Sequence, residues 1–178
     1  MNRNILCCFL LGLSLSFSAS AAEQRARGGY IGGSLGVSSL DDDGAFDGSA
    51  FDDSGTAYGI FGGYKFFKYL AVEGRYTSFG IFSVSDEDID IDVLSLHAVG
   101  IVPFGASGWE LFGQLGIGTA NIDCDGCSNE TVGSAGIGVR FYPTSNLGIS
   151  LQTDAYAWEE DGIDPVVGAT QVTIQYFF

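Results

Sequence analysis

Read backwards in steps of two from its last residue, the chain gives Phe178, Tyr176, Ile174 and Val172, while the other parity gives Phe177, Gln175, Thr173 and Gln171. A period of two marks a β-strand with one face in an apolar medium and the other in a polar one. Left unpaired, such a strand would aggregate, so another strand has to close over it. A sheet that closes on itself is therefore the expectation against which the remaining residues are read.

Eight segments show the same alternation. They run from about Gly29 to Ser38, Thr56 to Tyr64, Tyr69 to Gly80, Asp92 to Val102, Trp109 to Asn121, Val132 to Tyr142, Leu147 to Tyr156 and Val166 to Phe178. Each is close to the ~9–11 residues with which a tilted strand crosses a membrane. Short turns are expected at Lys65 to Lys68, Pro103 to Gly108 and Pro143 to Asn146, where proline cannot continue a central ladder. Long acidic loops are expected after strands one, three, five and seven. An even number of strands places both termini on the short-turn side, which is periplasmic in outer-membrane barrels.

Only 16% of residues are charged and 27 are glycine, against a usual charged share of about 25%. After the first residues no stretch supplies the ~18 apolar residues of a membrane helix. The start has the pattern of a secretory signal: Arg3, an apolar run from Ile5 to Phe17, and small residues from Ser18 to Ala22. Residues 1–22 are read as that signal, taking Cys7 and Cys8 with it, and residues 23–178 as one barrel domain.

The net charge is −15, and 18 of the 22 acidic residues fall into four runs. These are Asp41 to Asp53, Asp86 to Asp92, Asp123 to Glu130 and Glu159 to Asp164. Dense like charge reads as solvated loop, and the acidic balance disfavours nucleic acid as a partner. Carboxylate clusters also suit calcium, but no stretch matches the twelve-residue calcium loop, so solvated surface is preferred and no metal or cofactor is expected.

Which face points outward follows from the charges. Glu73, Arg75, Glu110, Arg140 and Asp154 share the less apolar parity, and the single histidine, His97, lies on it too. A base facing mid-bilayer lipid costs on the order of 2–4 kcal/mol, whereas a narrow lumen can pair such groups. The charged parity is therefore placed inside. Tyr58, Tyr64, Tyr76, Trp109, Phe141, Tyr176 and Phe178 then lie outward as interfacial girdles.

The run Tyr58-Gly59-Ile60-Phe61-Gly62-Gly63-Tyr64, followed by Tyr69 to Tyr76 with Glu73, resembles strands two and three of the OmpA transmembrane domain. The opening Gly29-Tyr30-Ile31-Gly32-Gly33-Ser34-Leu35-Gly36 and the close Gln175-Tyr176-Phe177-Phe178 are similar to the small OmpA/OmpX-like outer-membrane barrels. The resemblance implies an all-β, eight-stranded antiparallel up-and-down transmembrane barrel in the outer membrane of a Gram-negative envelope. It implies membrane lipids and lipopolysaccharide as surroundings, and an assembly machinery that reads the terminal aromatic strand at Tyr176 and Phe178. The family carries a peptidoglycan-binding domain after strand eight in OmpA itself, which is not expected here. The family also sets basic lumenal residues opposite the strand-three glutamate, and the matching positions here hold Val99 and Ser150.

Several residues admit two readings. Glu73, with Arg75 or Arg140 as partner, is either the acid of a lumenal gate or half of a structural ion pair, and the structural reading is preferred. His97 and Ser95 share a face, the residue types of a lipid-modifying enzyme, but no orienting third group is evident and the lumen is the wrong place for lipid chemistry. Cys124 and Cys127, in Cys-Asp-Gly-Cys, are read as a disulfide-closed loop, with free thiols or metal ligation as alternatives. Asn129-Glu130-Thr131 matches a glycosylation acceptor by chance. The functional expectation is an envelope-structural or surface-interaction barrel without enzymatic activity, with an extracellular ligand that the residues do not name. A narrow cation-preferring pore and a lipid-modifying enzyme are the alternatives.

Overall fold

The computed structural model of the chain describes residues 27–41, 53–84, 87–105, 107–123, 129–158 and 166–178. The expected signal at residues 1–22 lies outside them, as do Cys124 and Cys127 and the acidic residues of 42–52 and 159–165.

Eight strands follow one another in chain order. They are β1 (Gly28–Asp41), β2 (Asp53–Phe67), β3 (Leu70–Val84), β4 (Glu87–Pro103), β5 (Trp109–Asp123), β6 (Glu130–Phe141), β7 (Leu147–Ala157) and β8 (Val166–Phe177). Each pairs antiparallel with its neighbours, and the sheet closes. The closing seam runs from Tyr30↔Phe177 to Asp41↔Val166, so the apolar terminal strand has no free edge. No helix among the described residues is long and apolar enough to cross a membrane.

The described residues begin, at Arg27, and end, at Phe178, at the rim of the short connections. Phe178 N–H donates to the carbonyl of Gly29, Phe177 N–H to that of Asn146, and Tyr142 N–H to that of Gly108. This is the turn-side rim; the opposite, loop-side rim is the one at which β1, β3, β5 and β7 end.

Two expectations about loops are corrected. Only residues 85–86 separate β3 from β4, and Val84 pairs with Glu87, so no long loop follows strand three. The second acidic run is mostly strand, because Asp88-Ile89-Asp90-Ile91-Asp92-Val93 itself alternates with period two. Ile91 and Val93 point inward, buried, which puts Asp92 on the outward parity. A carboxylate there is tolerable only in water, so this end of β4 stands above the hydrocarbon, with the apolar outward run starting at Leu94.

Near the same rim the β3–β4 register slips by one residue between Ser78 and Ile81. Gly80 takes the positive φ of 79° that this bulge requires. The carbonyl of Phe79, freed from the ladder, accepts a hydrogen bond from Ser38 Oγ at 2.7 Å.

The interior is packed rather than open. Toward the loop-side rim, Phe79, Ile91, Val93, Val132, Tyr156, Trp158 and Val167 form one apolar cluster, with Phe79 edge-on to Tyr156 at 5.2 Å. Toward the turn-side rim, Tyr30, Phe61, Val99, Ile101, Phe112, Tyr142 and Phe177 form another. Outward positions are apolar and bare: Leu35, Ile60, Leu94, Leu115, Ile137, Leu151 and Ile174 are each more than half exposed. This inversion, greasy outside and polar inside, is that of a barrel whose solvent is lipid.

Candidate functional site

Among the described residues three acids and three bases face the lumen, each 3% exposed or less: Glu73, Glu110, Asp154, Lys65, Arg75 and Arg140. Their equality matters, because an unpaired buried charge is strongly destabilising. Lys65 was expected in a turn. It lies instead on the inward parity of β2, after Ala57, Gly59, Phe61 and Gly63, and β2 runs on to Phe67. Continuing that parity by two residues would have found it.

The six divide into two clusters. In the first, Arg75 binds Glu73 two residues away on the same face of β3, with Nη2–Oε1 at 2.6 Å and Nε–Oε1 at 3.1 Å. Its other arm crosses the lumen to Asp154 of β7, with Nη1–Oδ2 at 3.4 Å. Tyr30 hydroxyl donates to the free Glu73 Oε2 at 3.0 Å, and Gln152 Nε2 donates to Asp154 Oδ2 at 2.6 Å. The guanidinium lies 4.8 Å above the Phe61 ring. With Gln114 Nε2 donating to Asp154 Oδ1, every carboxylate oxygen of Glu73 and Asp154 has a donor, as buried carboxylates require.

In the second cluster, Glu110 and Arg140 face each other directly across β5 and β6 and pair at 2.8 Å. Lys65 Nζ reaches the other oxygen of Glu110 at 3.1 Å, and Tyr142 hydroxyl donates to Oε1 at 2.8 Å. Arg140 sits 4.4 Å over the Phe112 ring. The structure therefore brings Glu73 to Arg75, not to Arg140, and the position of the expected opposing base is filled by apolar Val99 and by Ser150, which bonds Thr173. Glu73 needs no base from across the barrel because its partner comes from its own strand.

Glycines on the inner face make these approaches possible. A Cβ on Gly136 would land on Asp154 Oδ1 and come within 3.1 Å of Gln114 Cγ, and one on Gly63 would fall 2.5 Å from Tyr30 hydroxyl. Large side chains fill the space left by their neighbours' missing ones.

His97 is lumenal but does not meet Ser95. Its Nε2 lies 3.2 Å from Ser134 Oγ, its ring rests on Gly116, and Ser95 Oγ turns to the carbonyl of Arg75. Among the described residues no group of three or more His, Cys, Asp or Glu is arranged to hold a metal ion. Tyr176 and Phe178 lie outward at the turn-side rim, 53% and 67% exposed.

Charge is also sorted along the sequence, between the two kinds of connection. The 18 clustered acids belong to the loop-side strand ends and connections, whose sequences contain no lysine or arginine. After residue 22 the bases are the three lumenal ones plus Arg25 and Arg27 before β1 and Lys68 between β2 and β3.

The fold recurs in solved outer-membrane proteins. Neisserial surface protein A matches with a TM-score of 0.69 at 15% identity, over 87% of this chain and all of that one. The N-terminal β-barrel domain of Pseudomonas aeruginosa OprF matches with a TM-score of 0.59 at 15% identity, over 86% of this chain and all of that one. Ail, the attachment invasion locus protein of Yersinia pestis, solved with the heparin analogue sucrose octasulfate, gives a TM-score of 0.57 at 22% identity over 86% of this chain and 99% of that one. No curated protein matches the sequence. Residues 9–177 match the outer membrane protein β-barrel domain family, and with nearly the whole chain inside that match, this protein is a member of the family, an eight-stranded barrel of the cell outer membrane.

Proposed function

We propose that the protein is a closed envelope barrel whose work is done at its loop-side face, as a structural and surface-interaction protein. The observation that carries this reading is the interior: apolar side chains cap both ends of a balanced charge network, leaving each lumenal acid and base among the described residues 3% exposed or less. A scaffold of this kind holds the barrel shut and lets the loops vary. The outward belt meets membrane lipid, as in other outer-membrane barrels.

The partner is one that tolerates or carries positive charge. Ail was solved with a polyanion, but here the loop side holds clustered acids and no base, so a sulfated ligand would be repelled. Lipopolysaccharide phosphates would be approached through divalent cations. Tyr176 and Phe178, exposed at the end of β8, serve as the strand signal for the assembly machinery, and no catalytic role is assigned to His97.

The test combines two measurements on the refolded mature chain. Planar bilayers should show no steady single-channel current, and vesicle-bound barrel should retain a cationic peptide in low salt while ignoring heparin. Steady conductance would remove the closed-scaffold reading, and heparin retention would remove the charge argument.

The narrow pore has one observation in its favour. The amides of Gln171 and Gln175, each 1% exposed on the inner face of β8, have no hydrogen-bond partner among the described residues, and buried amides of this kind are commonly satisfied by water. In that reading Arg75, shared between Glu73 and Asp154, is the gate, and Arg75→Ala raises conductance.

A further inference from the structure

Three outward-facing features of β1, β2 and β3 have no explanation in the packing of the barrel. First, Gly62 and Gly74 face each other directly across β2 and β3 on the lipid side, yet a Cβ would meet nothing closer than 3.6 Å at Gly62 and 4.0 Å at Gly74. Inner-face glycines such as Gly36, Gly63 and Gly136 are required by a neighbour; these two are not. Second, their absence of side chains leaves a groove of about 280 Å³ walled by Ile31, Ile60, Tyr76 and Leu94. Third, Arg27 and Lys68 lie at the turn-side edge of the same sector, and the loop-side strand ends and connections hold no base at all.

The two cations are held by aromatic residues. Arg27 Nε donates to Tyr64 hydroxyl at 2.9 Å, and its guanidinium stands 5.9 Å from the ring centroid. Lys68 Nζ stands 4.8 Å from the centroid of Tyr69. Arg27 turns toward β2, whereas Phe178 pairs with Gly29 on the opposite side of β1. Tyr64 is two residues along β2 from Gly62, roughly 7 Å at the rise of a strand. The distance is short enough for one amphiphile to have its head at Arg27 and its chain on the glycines.

We propose that this sector is a docking site for one inner-leaflet phospholipid with a net anionic headgroup. Its phosphate lies against Arg27 and Lys68, and an acyl chain lies in the Gly62–Gly74 groove between Ile31 and Leu94. The charge complementarity selects an anionic head, and the apolar walls select a hydrocarbon chain. The aromatic rings keep the cations at the height of the headgroups, where such residues anchor membrane proteins. Each cation near an anionic head favours it by about five-fold.

The test uses the full barrel in phosphatidylcholine vesicles, with spin-labelled phosphatidylglycerol and phosphatidylcholine as probes of the motionally restricted lipid. The native chain should bind the anionic probe at least about five-fold better than the neutral one. Arg27→Gln with Lys68→Gln should bring that ratio to parity. Gly74→Leu, which points into lipid and leaves the fold intact, should reduce restriction of chain-labelled probes of both kinds while keeping their ratio. Equal binding of the two probes by the native chain, a preference that survives the double substitution, or restriction unmoved by Gly74→Leu would each overturn the assignment.

Discussion

Gln114 reaches Asp154 across the bare backbone of Gly136. The three residues occupy one level of β5, β6 and β7, Gln114 opposite Gly136 and Gly136 opposite Asp154. The amide nitrogen donates to Asp154 Oδ1 at 2.5 Å. Two strands that share no ladder are thereby joined through the lumen, and the carboxylate they fix is the one that Arg75 reaches from the far wall.

Gly136→Val should therefore displace Asp154 and strain the inner packing, with a loss of about 1–3 kcal/mol. Gly133→Val, three residues earlier on the outward face, would bring its Cβ no closer than 4.0 Å to any neighbour, the carbonyl of Ala157, and should be close to neutral. Urea unfolding of the two variants in lipid vesicles makes the comparison; equal losses would contradict the steric account.

Glu110 is the single acid between two buried bases. Glu110→Gln leaves Lys65 and Arg140 facing each other uncompensated and should cost roughly 3–5 kcal/mol. Adding Lys65→Met should recover part of that loss, because it removes one of the stranded charges. A double-mutant cycle with additive losses would show that the three side chains are not coupled.

The closing seam has its own tight point. A Cβ on Gly36 would collide with the carbonyl of Thr170 on β8 and lie 2.7 Å from Gln171 Cα. Backbone cannot step aside as a side-chain tip can. Gly36→Ala should slow or block closure, read as loss of the heat-resistant compact band on electrophoresis, whereas Gly62→Ala should migrate as the native barrel does.

The assignment of faces predicts a labelling pattern. Spin labels at Leu35, Leu115 and Leu151, which are 62%, 68% and 52% exposed, should be quenched by lipid-soluble agents. Labels at Ser34 and Ser150, one step away on the inner parity, should be shielded. Quenching of the inner pair by lipid-borne agents would invert the barrel.

Much of the architecture is written in the period of two. Strand number, chain order and which parity meets lipid are local properties, since successive side chains on a strand point to opposite faces whatever the strand pairs with. The charged parity at Glu73, Arg75, Glu110, Arg140 and Asp154 is legible for that reason. Strand ends are less so. Asp88 to Asp92 read as loop because acids discourage a membrane strand, yet outside the hydrocarbon the ladder continues at no such penalty. Lys65 was hidden by Phe66, Phe67 and Lys68, whose bulk and charge break the alternation just where β2 ends.

Which inward side chains meet is a different matter. Arg75 finds Asp154 79 residues away, and Gln114 finds it across a glycine, only because closure and strand stagger place those positions at one height. Sequence by itself determined that this chain alternates, how many times, and which face is greasy. The tertiary structure alone decided the pairing of charges and the filling of the lumen, because the level at which two walls of a barrel meet is a property of the closed ring and of no single strand.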